Sequence, residues 1–325
     1  MSGLIGVAGA TGMVGGRVAE LLAERGLAQR LIVRDQARAP RLAGAEVRLA
    51  ANYGAGDEMR RALEGVDTLF LIPGREAPDR LQQHITAVDA AVAAGVRRIV
   101  YLSFLGASPT ATFTLARQHW ATEEHIRGCG VESFTFLRMS QYMDFIPSMV
   151  SPEGVIAGPA DGGRVGALLR SDVAAAAVAV LAGEGCHDRD RRSDDDGHDD
   201  SSGRSDDDGR GDPSGRGDPG THDGQTYDLT GRESFTLAEA AQEMSRLTGK
   251  PIVFRDETLE EAYASRASYG APDWEVEGWV TSYLAIAVGE LAAVSDDVRR
   301  LTGREPTTLS EYVGAHPECL AHVVT

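Results

Sequence analysis

The sequence predicts an α/β fold in which a doubly wound parallel sheet is followed by a smaller C-terminal α/β portion. Two observations lead to this prediction. Six short apolar runs alternate with helical patterns up to Leu137, and a glycine-rich turn joins the first run to the first helix. Short buried strands that alternate with helices are typical of βαβ units, whose parallel sheet is covered on both faces.

The apolar runs and the helical patterns define the elements of the first portion. Strands are expected at 4–8, 30–33, 46–49, 67–72, 98–103 and 133–137, and helices at 13–25, 57–64, 79–94 and 114–127. Six strands in this rhythm fit a Rossmann-type sheet, which binds its ligand at the carboxyl ends of the strands.

After Leu137 the rhythm changes. A Met- and aromatic-rich stretch at 138–149 precedes an Ala/Val-rich helix with Ser171 as its expected N-cap, and Gly249 should close a helix within 233–250. Strands are expected at 226–231 and 251–255, with mainly helix beyond them. We expect a nucleotide-binding portion at 1–138, with contributions from about 164–183 and 225–231. The smaller portion, 139–163 and 232–325, should bind the substrate.

The segment 186–223 differs from the rest of the chain in composition. It holds thirteen Asp and six Arg, a net charge of −7, and 193–204 repeats as 205–216 with nine of twelve positions identical. Such low hydrophobicity cannot offset the entropy of ordering the chain, so we expect a disordered surface-loop insertion. Arg192 and Arg204 stand where the first Asp ligand of a calcium loop would be, so the EF-hand pattern fails.

Composition narrows the partners and the compartment. The net charge of −17 argues against nucleic acid as a partner. Three widely spaced cysteines form no disulfide framework, which fits the cytoplasm, and no apolar run is long enough to span a bilayer. The histidines and cysteines show no metal-ligand spacing, so no metal site is expected. The sequence leaves a homodimer open.

The glycines in "LIGVAGATGMVGGRV" predict a dinucleotide site. Gly9 would make the tight strand-to-helix turn, Gly12 would let the backbone approach a pyrophosphate, and Gly15 would allow the helix to pack on the strand. The helix N-terminus adds unpaired N–H groups and a positive dipole. The alternative is a tight turn without a ligand.

The end of the second strand, "LIVRD", bears on which dinucleotide is bound. Arg34 can pair with a 2′-phosphate, and Arg38 is close enough in sequence to help. This favours NADP(H). In the alternative, Arg34 is solvated and Asp35 selects NAD(H).

Longer motifs resemble one family. "GVAGATGMVGGRV", "ANYGAGDEMRRALEGVDTLFLI", "HWATEEHIRGCGVESFTFLRMSQYMDF" and "YDLTGRESFTLAEAAQEMSRLTGKPIVFRDET" are similar to the NmrA-like atypical short-chain dehydrogenase/reductases. Within this group the chain most resembles NADPH-dependent quinone oxidoreductases, with triphenylmethane-dye reductases as near relatives. The resemblance covers almost everything outside 186–223.

The resemblance implies roles for particular residues. It places Gly9, Thr11, Gly12, Met13 and Val14 at the pyrophosphate and Arg34 at the 2′-phosphate. Asn52 and Tyr53 would lie near the adenine, Pro73 and Gly74 beside the nicotinamide ribose, and Ser103 near the nicotinamide. His119 matches a histidine of close relatives, and 139–145 would close over the substrate.

The sequence excludes one mechanism and leaves two functions open. Lys250 is the only lysine, and no tyrosine lies four residues before it, so the Tyr–Lys pair of ordinary short-chain dehydrogenases is absent. A quinone needs that pair less, because the protein must mainly align acceptor and nicotinamide. His119, Tyr142 and Ser103 are the candidate catalytic residues, and a small quinone-like molecule is the expected substrate. The alternative is a non-catalytic NADP(H)-binding redox sensor.

Overall fold

The computed structural model describes residues 3–183 and 222–324. Its strands are β1 (Ile5–Ala8), β2 (Gln29–Val33), β3 (Ala45–Leu49), β4 (Thr68–Leu71), β5 (Arg98–Phe104), β6 (Ser133–Met139), β7 (Val155–Gly158), β8 (Arg164–Val165), β9 (Thr226–Leu229), β10 (Phe235–Thr236) and β11 (Val253–Asp256). Its α-helices are α1 (Met13–Glu24), α2 (Gly56–Leu63), α3 (Arg80–Ala93), α4 (Thr114–Gly128), α5 (Arg170–Ala182), α6 (Leu237–Thr248), α7 (Leu259–Ala267), α8 (Asp273–Ala287), α9 (Asp297–Thr302) and α10 (Leu309–Ala315).

Seven of the described strands form one parallel sheet in the order β3-β2-β1-β4-β5-β6-β9. The first six strands and the four helices between them lie where the sequence predicts, within a few residues. The strand order reverses between β1 and β4, which opens a crevice at the carboxyl ends of these strands. The predicted doubly wound fold is confirmed.

Successive strand residues face opposite sides of the sheet and build two cores. Val7, Leu31 and Val100 pack with α1 and α5 on one side. Leu69 and Ile99 pack with residues of α2, α3 and α4 on the other. Because both faces are covered, strand residues of either parity can be apolar, which explains the continuous apolar runs.

Helix α5 is buried on nearly all sides, and its start differs from the prediction. It begins at Arg170 with Leu169 as N-cap, so Ser171 lies inside the helix. The first turn of α5 contains Asp172, whose carboxylate accepts a hydrogen bond from the Thr307 amide at 2.9 Å. This tertiary contact orients the first turn in place of a side-chain cap.

The C-terminal portion builds its own core around two small sheets. Strand β7 pairs with β11 in parallel, and β8 pairs with β10 antiparallel. Because 235–236 form β10, α6 begins later than predicted, with a capping box between Thr236 and Glu239, and it ends at Gly249 as expected. No helix of the described residues is long and apolar enough to cross a membrane.

Most of the segment predicted to be disordered, 186–223, lies outside the described residues, because the described chain stops at 183 and resumes at 222. Its predicted end at 223 is too late. His222 is buried, its Nδ1 lies 2.8 Å from the Tyr227 hydroxyl, and its carbonyl accepts a hydrogen bond from Thr135 Oγ1 at 2.7 Å. A histidine within an acidic, polar stretch is therefore part of the folded chain.

The turn between β1 and α1 depends on two glycines. Gly9 has φ of +78°, a conformation that favours glycine. A Cβ on Gly15 would lie 2.3 Å from the carbonyl oxygen of Gly9, which no side chain can tolerate. The absence of a side chain at Gly15 therefore lets α1 start directly against the strand end.

We expect Gly15→Ala to lower the free energy of unfolding by about 2 kcal/mol, because overpacking against rigid backbone costs about 1–3 kcal/mol. The neighbouring Gly16→Ala is the matched control. Its Cβ would lie 3.4 Å from the nearest atom, the carbonyl oxygen of Ala10, and alanine is the better helix former. Urea unfolding measures both variants. Equal stability of Gly15→Ala and wild type would contradict the close packing.

Candidate functional site

A cleft of about 390 Å³ opens at the carboxyl ends of β1, β2 and β4, where the strand order reverses. Its lining comes from the turn after β1, the end of β2, the segment after β3 and the segment after β4. The sequence-predicted residues that line it are Gly9, Thr11, Gly12, Arg34, Asn52, Tyr53, Pro73 and Gly74. One cleft therefore collects residues from four separate parts of the chain.

The turn into α1 fits a bound pyrophosphate. Gly12 is the N-cap of α1 and carries no side chain that could occupy its first amides. Of the remaining predicted residues, Met13 projects its side chain into solvent, Val14 packs in the core, and Gly15 lies against the Gly9 carbonyl. These three can contribute backbone amides and packing, but their side chains do not line the cleft.

The two charged residues that follow β2, Arg34 and Asp35, have different surroundings. Arg34 lines the cleft. The Asp35 carboxylate accepts a hydrogen bond from the Ala37 amide at 2.9 Å and caps the 3-10 helix at 36–38. Tyr53 donates its hydroxyl to the Ile72 carbonyl at 2.8 Å, and its burial raises the pKa of that hydroxyl.

A second cavity, of about 430 Å³, adjoins the cleft, and we call it the acceptor cavity. The two share one wall, the residues 72–75 that follow β4. Its remaining lining is mainly aromatic, apolar and basic, with one acidic and one amide side chain. It consists of Glu76, Arg80, Phe104, Phe113, Leu115, His119, Met139, Gln141, Tyr142, Phe145 and Arg170. The predicted closing segment 139–145 thus supplies four of the lining residues.

Tyr142 is held by a cation in this cavity. The Arg170 guanidinium lies 4.1 Å from the centre of the Tyr142 ring and pairs with Asp144 at 2.8 Å. Burial raises the pKa of the Tyr142 hydroxyl to about 12, so this hydroxyl is neutral at pH 7. Phe145, at the rim, is largely exposed.

Ser103 does not fit the predicted position beside the nicotinamide. It is fully buried in β5, lines neither of the two cavities, and donates its hydroxyl to Glu123 at 2.5 Å. Glu123 in turn accepts two hydrogen bonds from Arg138, at 2.9 and 2.6 Å. Ser103 therefore belongs to a buried polar group that joins β5, β6 and α4, and we withdraw its catalytic role.

A buried arginine organises the wall between the two cavities. Arg80 donates through Nε to the carbonyl of Gly74 at 3.1 Å, and through its terminal nitrogens to Gln118 Oε1 at 3.2 Å and His119 Nε2 at 3.0 Å. The Gly74 amide donates to His84 Nε2 at 2.9 Å. Both polar groups of the Gly74 backbone are therefore held by side chains of α3.

These contacts fix the protonation of both histidines. A guanidinium has only donors, so His119 Nε2 must accept, and its Nδ1–H donates to the Tyr101 hydroxyl at 3.0 Å. His84 accepts from the Gly74 amide by the same logic and donates from Nδ1 to Thr122 Oγ1 at 3.1 Å. A second proton on either ring would break one of these bonds.

The electrostatics agree with two neutral rings. Burial and the Arg80 charge lower the pKa of His84 to about 3 and hold the pKa of His119 well below its usual range. His119 therefore lines the acceptor cavity as a neutral ring, and it carries no second proton that it could give to an acceptor near neutral pH.

Sequence reasoning missed Arg80, Arg170 and the pair Phe104 and Phe113 as lining residues. An arginine at the start of a helix looks like a solvated side chain, and no local pattern shows that α4 covers it. The missing Tyr–Lys pair is consistent with the structure, because Lys250 Nζ donates to the carbonyls of Leu320 and Val323, away from both cavities. The described residues hold no cluster of possible metal ligands.

We expect acid to destabilise the fold through His84. The folded pKa of His84 is about 3 and the unfolded value about 6.5, so the unfolded state binds more protons between these values and stability falls as pH falls. From pH 7 to pH 5 this histidine should cost about 2 kcal/mol of unfolding free energy. Urea unfolding at both pH values should show a shallower pH dependence in His84→Gln.

Gln118→Leu serves as the control for this measurement. It removes one hydrogen bond of the same group and keeps both histidines, so it should lower stability by a similar amount at each pH. An unchanged pH dependence in His84→Gln would show that the ring is not kept neutral by the fold.

Comparison with known proteins agrees with the geometry. A family model described as NAD(P)H-binding matches residues 9–184. Quinone oxidoreductase 2 of Escherichia coli (strain K12) is 30% identical over 317 residues, which cover 95% of this chain and 97% of that protein. Solved structures similar to this chain include a quinone oxidoreductase and a dye reductase.

The Escherichia coli NADPH-dependent quinone oxidoreductase in complex with NADPH matches with a TM-score of 0.77 and 30% identity, covering 96% of this chain and 99% of that one. The Citrobacter sp. triphenylmethane reductase complexed with NADP(H) matches with a TM-score of 0.76 and 29% identity, covering 98% of this chain and 100% of that one. The regulator NmrA, with a TM-score of 0.69 and 15% identity, shares the fold. The family match and these relatives show that the chain belongs to the NAD(P)H-binding family, as an NAD(P)H-dependent oxidoreductase.

Proposed function

We propose that this chain is an NADPH-dependent reductase of flat, conjugated, quinone-like acceptors. The observation that carries the proposal is the wall at 72–75, which the cofactor cleft and the acceptor cavity share. A dinucleotide with its pyrophosphate at Gly12 and its adenosine end at Arg34 would direct its nicotinamide towards this wall. Hydride transfer needs an acceptor beside that ring, and the second cavity offers the room.

The choice of NADPH rests on the end of β2. Arg34 lines the cleft and forms no ion pair with a carboxylate of the described residues, whereas the Asp35 carboxylate caps a helix. An arginine suits a 2′-phosphate, and an acidic residue turned away from the ligand cannot bind a ribose 2′-hydroxyl. Asn52 and Tyr53 complete the adenosine side of the cleft in this proposal.

The acceptor cavity suits an aromatic ring. Phe104 and Phe113 lie edge to face with their ring centres 5.0 Å apart, and Tyr142 presents a ring braced by Arg170. Such surfaces favour offset or edge contacts with a planar ligand. The bound nicotinamide supplies the hydride, and the protein aligns the acceptor and excludes water.

The cavity also favours catalysis over the sensor alternative. A redox sensor needs to bind the dinucleotide but needs no space beside the nicotinamide. The similarity to NmrA, at 15% identity, shows a shared fold and carries no argument for a regulatory role. In our proposal, the C-terminal portion provides the acceptor side of the site.

We also propose that the protein works in the cytoplasm. The free thiols of Cys129 and Cys319 fit a reducing compartment of this kind.

We expect purified protein to oxidise NADPH when a simple naphthoquinone is present, and to oxidise it more slowly without the quinone. NADPH absorbance follows the reaction, with NADH as the comparison. Tight NADPH binding without turnover on quinones or dyes would contradict the reductase proposal and favour the sensor.

Arg34→Ala should weaken NADPH binding about 10- to 100-fold, because a hydrogen bond to a charged group contributes about 1.5–3 kcal/mol. NADH binding should change by less than about 3-fold, since NADH lacks the 2′-phosphate. Isothermal titration with each nucleotide measures both. The exposed Arg41, which does not line the cleft, provides the control variant Arg41→Ala. Equal weakening of both nucleotides would remove Arg34 from the 2′-phosphate.

Tyr142 should act through its ring and not through its hydroxyl. Tyr142→Phe keeps the aromatic surface and should leave quinone kcat/KM within about 3-fold. Tyr142→Ala removes a contact of about 1–1.5 kcal/mol and should lower kcat/KM about 10-fold. Steady-state kinetics at saturating NADPH separate the two, and an equally large loss in Tyr142→Phe would assign the role to the hydroxyl.

A further inference from the structure

Arg80 is a buried cation with no carboxylate in direct contact, although the Glu76 carboxylate lines the same cavity and acts on its charge from a longer distance. It is 4% exposed, and no carboxylate of the described residues forms an ion pair with it. Its three partners, Gly74 O, Gln118 Oε1 and His119 Nε2, are all neutral. Burying a charge that no direct ion pair compensates costs several kcal/mol, so such a group is rarely retained for stability alone.

The guanidinium also has donors to spare. It carries five N–H groups, and the described structure accounts for three of them. One N–H on each terminal nitrogen remains. Burial lowers the pKa of Arg80, but a guanidinium stays protonated in proteins, so the charge persists at every working pH.

The position of this charge is what gives it a role. Arg80 lines the acceptor cavity, and its Nε is bonded to Gly74 in the wall shared with the cofactor cleft. The cation therefore lies next to the place where the proposed acceptor and the nicotinamide would meet. The other polar groups that line this cavity among the described residues are less suited. His119 is neutral, Tyr142 is a weak acid, Arg170 is already paired with Asp144, and the Glu76 carboxylate would repel an anion.

We propose that Arg80 is a catalytic residue that donates hydrogen bonds to the acceptor's oxygen and stabilises the oxyanion formed there. This proposal rests on the proposed function. When NADPH passes a hydride to one oxygen of a quinone, the C4–H bond of the nicotinamide breaks, an O–H bond forms, NADP⁺ is left, and the other oxygen carries the negative charge of the hydroquinone monoanion. A proton from water then completes the hydroquinone.

In this arrangement two other residues position the cation. His119 Nε2 and the side-chain oxygen Oε1 of Gln118 accept hydrogen bonds from the two terminal nitrogens of Arg80. Both partners are neutral, so neither cancels the charge. Donors fixed before the reaction need no reorganisation when charge develops, which is how an oxyanion hole lowers a barrier. Arg80 thus takes the place of the absent Tyr–Lys pair.

The first test uses Arg80→Gln, with Arg98→Gln as the matched control. Arg98 is half-buried, contacts Thr135 and the Val180 carbonyl, and lines neither cavity. Arg80→Gln should lower quinone kcat about 10²- to 10³-fold, as for the loss of one oxyanion donor. Reduction of a cationic triarylmethane dye should change less than about 5-fold, because hydride addition to that cation forms no oxyanion.

The second test measures charge without turnover. The wild-type protein loaded with NADP⁺ should bind 4-nitrophenol and favour its coloured anion, shifting the phenol's ionisation to lower pH. Arg80→Gln should abolish this shift, and Arg80→Lys should keep part of it. NADPH binding and urea unfolding of each variant identify any that fails to fold.

The outcomes separate this proposal from the proposed function. Equal losses with quinone and dye in a folded Arg80→Gln would make Arg80 structural and overturn the proposal, as would a wild-type protein that leaves the phenol's ionisation unchanged. A wild-type protein that stabilises the phenolate through Arg80 but reduces no quinone would overturn the proposed function and keep the anion site.

Discussion

The approach of α1 to the carbonyl of Gly9 is the constraint on which the rest of the site depends. Because Gly15 has no side chain, the helix begins directly at the strand end, and its N-cap residue Gly12 lines the cleft. A larger residue would push the helix outwards and separate the amides from the cleft. Arg34 and Tyr53 reach the same cleft only because the sheet around this turn is fully packed on both faces.

The other half of the site is built by long-range polar contacts. Side chains of α3 hold both the amide and the carbonyl of Gly74, and α4 supplies the partners that cover them. The wall between the two cavities is therefore a backbone segment whose amide and carbonyl are both held by side chains of α3. The same contacts that shape the wall keep two histidines neutral and leave one arginine charged, so structure and electrostatics at this point have one origin.

This division explains which features the sequence could predict. Glycine turns, short apolar strands and the arginine after β2 are local patterns, and the described structure contains all of them at the expected positions. Arg80 was missed, and Ser103 and Ser171 were given the wrong environment, for a common reason. Their environments are decided by α4, Glu123 and the Asp172–Thr307 contact, all distant in sequence. His222 was assigned to the polar insertion because its neighbours are polar, yet Tyr227 and Thr135 bind it within the fold.

The two chain ends that border residues 184–221 meet at one place. Arg98 donates to the Val180 carbonyl in the last turn of α5 and to Thr135 Oγ1, and Thr135 donates to the His222 carbonyl. This junction lies at the amino edge of the sheet, opposite the carboxyl edge that forms the cleft. The entropy of closing a loop grows only slowly with its length, so segments of very different size can be accommodated there. The junction is thus a natural position for a fused reporter domain or for new termini in a circular permutant.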